Sequence, residues 1–175
     1  MLPPNQPQAV RIVARAAPEL PDGEYRVHML FRGVPDPVEA ATADQAPSAN
    51  GLSIRLTPIY GITIPLIVRK GQLEASATLA HPRVEHTASR ATLVFDLTHT
   101  GPRSVFGELI AHPRSGPPML LMRGIAIYPE VAQRRVDVAL SSEQLTKLRG
   151  PVRLEYREPS EAGGALIASV DANID

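Results

Sequence analysis

The chain of 175 residues contains no cysteine. Disulfides and thiolate metal sites are excluded, while the compartment stays open, because many exported proteins also lack cysteine. Net charge is missing as well: 18 Lys and Arg balance 18 Asp and Glu, so no field of one sign favours nucleic acid or an anionic membrane as a partner. No apolar run approaches the roughly 20 residues of a membrane-spanning helix. The opening MLPPNQPQ has neither the basic nor the apolar region of a signal peptide. The expectation is a protein with no membrane insertion and, as written, no export signal.

Chemical motifs are equally scarce. The sequence has no GxSxG elbow, no GxxxxGK phosphate loop, no GxGxxG after a strand and no histidine pair at the i, i+4 spacing of a helical zinc site. His81 and His86 read as exposed loop histidines. Asp96, His99 and Ser104 supply the residue types of a hydrolytic triad with no spacing that unites them. The expectation is a protein that is not an enzyme, with no catalytic residue, no metal and no cofactor.

Extended apolar segments punctuated by proline fill the chain instead. Hydrophobic residues make up 43% and charged residues 21%, the proportions of an ordinary globular protein. The 18 prolines are about twice the usual share and lie between apolar runs, which points to short extended elements joined by turns. The most regular stretch is residues 52–69, LSIRLTPIYGITIPLIVR. Leu52, Ile54, Leu56, Tyr60, Ile62, Ile64, Leu66 and Val68 share one parity, while Ser53, Arg55, Thr57, Thr63 and Arg69 share the other. Successive side chains of a strand point to opposite faces, so this describes one long strand, or two collinear ones, with an apolar face. Pro58 and Pro65 have no N–H to give a ladder, which places the strand at a sheet edge.

Ahead of it, residues 9–15 alternate like a strand, and Leu20-Pro21-Asp22-Gly23 is a turn signal. Residues 24–32 form the next strand, with Tyr25, Val27, Met29 and Phe31 on one face and Arg26 and His28 on the other. Residues 33–51 read as a loop with room for a helical turn. After Gly71, the candidate boundary, seven apolar segments follow at the spacing of an immunoglobulin-sized sandwich: 73–79, 91–97, 104–111, 119–127, 134–140, 152–156 and 166–174. Ser141-Ser142-Glu143-Gln144-Leu145 resembles a helix start. The expected domains are 1–70, part of a first immunoglobulin-like domain, and 71–175, a second one.

The strings LPDGEYRVH from Leu20, LSIRL from Leu52, IPLIVR from Ile64 and GIAIYP from Gly124 together resemble the periplasmic pilus-assembly chaperones of the chaperone–usher pathway. The resemblance implies an all-β protein of two immunoglobulin-like domains, here with the first truncated to three strands. It implies binding and capping of fimbrial subunits, with an outer-membrane usher as second partner and the periplasm as compartment. It also implies that an apolar edge strand is lent to an incomplete subunit, a role that falls on Leu52, Ile54 and Leu56, followed by Ile62 and Ile64. The family's carboxylate-anchoring lysine falls near residues 63–65, where no lysine stands. The alternative reading is a structural or adhesive sandwich that self-associates through the same strand, with a homodimer as its simplest form.

Overall fold

The structure is a computed structural model and describes residues 7, 9–34 and 58–174. The chain divides into two compact units, one made of residues 69–175 with the segment up to Glu24, the other of Tyr25–Val68.

The larger unit is an all-β sandwich. Strands β3 (Ser76–His86), β4 (Ala91–Thr100) and β7 (Gln133–Leu140) form one sheet in the order β3-β4-β7. Strands β5 (Val105–Pro113), β6 (Met119–Ile127), β8 (Gly150–Arg157) and β9 (Leu166–Ile174) form the other, in the order β6-β5-β8-β9. Every pairing within these two sheets is antiparallel. Each strand lies within a few residues of a segment marked by the apolar pattern, because alternation is what a half-buried strand requires. In β7, buried Val136, Val138 and Leu140 alternate with exposed residues. In β5, Val105, Leu109 and Ala111 are buried between half-buried Phe106, Glu108, Ile110 and His112. The inner faces meet in one core that includes Leu93, Phe95, Leu97, Leu109, Ile127 and Leu154. Burial of each large side chain there contributes roughly 1.5–3 kcal/mol.

Between β7 and β8 lies the helix α1 (Ser142–Leu148). The Gln144 amide donates to the Ser141 hydroxyl at 3.1 Å, and the Ser141 amide donates to Gln144 Oε1 at 2.9 Å. This capping box satisfies two donors that a helix start leaves open.

The smaller unit contains most of a two-stranded sheet formed by β1 (Gly23–Arg32) and β2 (Gly61–Lys70), whose first and last residues belong to the sandwich unit. Several expectations change here. Residues 9–15 are not a strand: they have no sheet partner among the described residues, and Val10, Ile12 and Val13 are exposed. The long strand begins, among the described residues, at Gly61, with 58–60 outside it. Leu52, Ile54 and Leu56, and the helical turn expected after Gly33, lie outside the described residues. His81 and His86 are in a strand rather than a loop, since β3 continues past a bulge between Ala80 and Arg83 as far as His86. His81 takes φ +51 at that bulge, a conformation unusual for a residue with a side chain.

A candidate partner-binding ribbon

The ribbon begins from a fastened base. Within the sandwich unit, Glu24 at the start of β1 and Arg69 near the end of β2 form an ion pair, Nε to Oε2 at 3.1 Å. The same carboxylate oxygen accepts the Ser104 hydroxyl at 2.6 Å and the Ser104 amide at 2.9 Å. Only 1% of the Glu24 side chain is exposed. Burial works to raise its pKa, yet the bonds from the Ser104 hydroxyl and amide and from Arg69 outweigh that effect and hold the group below the ordinary carboxylate value. The next residue adds a second tie. Lys70 Nζ donates to the carbonyls of Ala17 at 3.2 Å, Pro18 at 2.8 Å and Leu20. Both strands thus leave the sandwich unit from positions held by side-chain bonds. The turn signal at Leu20 to Gly23 is the segment that Lys70 secures.

Beyond the base, the register decides which side chains share a face. The Gly33 amide donates to the Tyr60 carbonyl at 2.9 Å, and at the other end Glu24 meets Arg69. The two strands are therefore antiparallel, with Phe31 opposite Ile62, Met29 opposite Ile64, Val27 opposite Leu66 and Tyr25 opposite Val68. Every one of these eight residues is apolar or aromatic, and all point to one side. The other side carries Arg26, His28, Leu30 and Arg32 against Gly61, Thr63, Pro65 and Ile67. Nothing among the described residues of this unit buries the apolar face. Ile62 is 66% exposed, Val27 55%, Ile64 47% and Phe31 36%, and Met29, Leu66 and Val68 are half-buried.

The same register decides what the open edge of β2 offers. In an antiparallel pair, alternate residues turn their backbone groups toward the partner and away from it. Gly61, Thr63, Pro65 and Ile67 face outward, so the missing N–H of Pro65 falls on the unpaired side and costs the ladder nothing. Among the described residues β2 has no partner on this side, the edge position that its proline implies. No described residue pairs with the outward N–H and carbonyl groups of Gly61, Thr63 and Ile67.

Of the five residues assigned to subunit binding from sequence, Ile62 and Ile64 lie on this face, and Leu52, Ile54 and Leu56 are outside the described residues. Val27, Met29 and Phe31 of β1 complete the face and were not assigned. Their signal was present in the alternation of residues 25–31, which shows as binding surface only once β1 is seen beside β2.

The three residues of the hydrolytic-triad types, Asp96, His99 and Ser104, do not converge. Asp96 binds His81 Nδ1 at 3.1 Å, His99 Nε2 meets the Arg103 carbonyl at 2.7 Å, and Ser104 is bound to Glu24. These three side chains each engage a different partner. Among the described residues, no group of three or more His, Cys, Asp and Glu side chains is placed to hold a metal. No helix there is long and apolar enough to cross a membrane. No family model, curated protein or solved structure matches the chain.

Proposed function

We propose that this protein is a periplasmic chaperone for pilus subunits, which it binds and caps through the β1–β2 ribbon without catalysis or cofactor. The carrying observation is the face made by Tyr25, Val27, Met29 and Phe31 against Val68, Leu66, Ile64 and Ile62, eight apolar positions in register with half of them exposed. An exposed apolar sheet face beside an open edge favours association with another chain. Strand addition supplies both needs of such a surface: main-chain hydrogen bonds along Gly61, Thr63 and Ile67, and alternate side chains that fill an apolar groove. In this reading the sandwich is an immunoglobulin-like domain, the ribbon belongs to another, and an outer-membrane usher receives the capped subunit. The strings from Leu20, Leu52, Ile64 and Gly124 support that family, and the geometry of the ribbon supports the binding mode.

One observation favours a second reading, a self-associating structural sandwich. The eight positions carry no charge, so two copies can meet face to face without burying an unpaired ion. Light scattering of the purified chain, alone and with a synthetic peptide of alternating apolar residues, separates the two. A complex of one chain with one peptide supports the chaperone. A dimer that the peptide leaves intact supports self-association and removes the capping role.

A further inference from the structure

A groove of about 450 Å³ lies where the turn between β3 and β4 adjoins the start of α1. That volume is within the range of roughly 300–1,000 Å³ typical of small-molecule sites. Its floor is apolar: Ala91 and Leu140, which face each other across the β4–β7 pair, with Leu145 of α1 beside them. Its rim is polar and has no acid. His86, Ser89, Arg90 and Ser142 line it. The turn is closed by the Thr87 amide and hydroxyl, which both donate to the Arg90 carbonyl, at 2.8 and 3.3 Å.

Many arginines of the sandwich are already engaged. Arg83, Arg135, Arg153 and Arg157 all hold carboxylates, and Arg103 holds the Leu73 carbonyl. Among the described residues, the Arg90 guanidinium and the His86 ring have no hydrogen-bond or ion-pair partner. Arg90 also lines a second groove, which it shares with the carboxylates of Glu85 and Asp137. Both are already taken: Arg135 binds Glu85 at 2.6 Å and Asp137 at 2.9 Å, and Arg83 binds Glu85 at 3.0 Å. Neither forms an ion pair with Arg90.

We propose that this groove binds a small ligand with a tetrahedral oxyanion head, a phosphate or sulfate ester, and a short apolar stem. Arginine presents a planar fork suited to two oxygens of such a head. The Ser89 and Ser142 hydroxyls and the His86 ring supply donors for a third oxygen, which a tetrahedral oxyanion has and a carboxylate lacks. The floor of Ala91, Leu140 and Leu145 takes the stem. This site stands apart from the ribbon and does not depend on the chaperone reading.

The test is a titration of the isotope-labelled full chain with butyl phosphate, inorganic phosphate and inorganic sulfate at constant ionic strength, followed by amide chemical shifts. Butyl phosphate shifts residues 86–91 and 139–145 saturably and binds more tightly than either inorganic ion. Arg90→Ala weakens it by about tenfold or more, the scale of a lost hydrogen bond to a charged group. Arg90→Lys, which keeps the charge and loses the fork, retains part of the affinity, and Arg114→Ala, remote in sequence and not among the groove's lining residues, changes nothing. Shifts that do not saturate, an adventitious ion only with no gain from the butyl stem, or affinity unchanged in Arg90→Ala would each overturn the proposal.

Discussion

Glu24 and Ser104 stand 80 positions apart in the chain, and one carboxylate oxygen of the first accepts both the hydroxyl and the amide of the second. With Arg69 on the same oxygen, this cluster holds Glu24 and Arg69, both residues of the sandwich unit, to the residue that precedes β5. Because its folded pKa lies below its unfolded value, the stabilisation is present above the unfolded carboxylate pKa of about 4.3 and is lost as acid titrates the group through the folded value. Glu24→Gln removes the charge and costs about 1–3 kcal/mol near pH 7. Urea unfolding of both proteins across the acid range checks the sign: the wild type loses its advantage as the pH falls, and the two curves converge.

The ribbon face predicts the opposite behaviour on substitution. Ile62 and Ile64 are exposed, so Ile62→Asp with Ile64→Asp should change the unfolding free energy of the sandwich by no more than about 0.5 kcal/mol per site. Binding of an apolar strand peptide should fall by at least about tenfold, since each charge must be desolvated against an apolar partner. Thermal unfolding and fluorescence anisotropy measure the two effects on the same samples.

Inside the sandwich, Tyr156 is fully buried, and its hydroxyl donates to the Ile125 carbonyl at 3.0 Å. Burial pushes its pKa above the ordinary tyrosine value. The unfolded chain ionises first, so stability falls as the pH rises past the unfolded value of about 10. Tyr156→Phe costs about 1–2 kcal/mol at neutral pH, because the Ile125 carbonyl loses its donor, and removes this part of the alkaline slope. Denaturation near neutral pH and in mild alkali reads both.

Gly107 sits in β5 against the same ring. A Cβ there would lie 2.6 Å from the Arg157 carbonyl oxygen and closer still to Tyr156 Cε2. Backbone on one side and a fully buried ring on the other leave no room to yield, so Gly107→Ala should destabilise the sandwich by about 2–3 kcal/mol. A shift of that size in the urea midpoint, with an unchanged slope, is the expected outcome.

The sandwich was legible because alternation and turn residues are local signals, and each of its seven strands overlaps a segment marked by them. The start of α1 was legible for the same reason, Ser141 and Gln144 standing three apart. Residues 9–15 mislead because alternation reports the capacity to form a strand, while a strand also needs a partner, and no described strand pairs with Val10 and Ile12. The extension of β3 to His86 was hidden by Pro82 and by the bulge that accommodates it. In the ribbon, Ile62 and Ile64 followed from one strand read alone, whereas the contribution of Val27 and Phe31 depends on their pairing with Leu66 and Ile62, 39 and 31 positions further along the chain. The Glu24–Ser104 bond and the unpaired state of the Arg90 guanidinium were out of reach, since both depend on which residues the fold brings together.

The most direct test of the ribbon as a strand acceptor is amide hydrogen exchange on the full chain, with and without a peptide of alternating apolar residues. Strand addition predicts new protection at the outward amides of Gly61, Thr63 and Ile67, with the sandwich strands β3 to β9 unchanged. Binding that leaves those three amides exchanging as before would contradict the account and place the partner elsewhere.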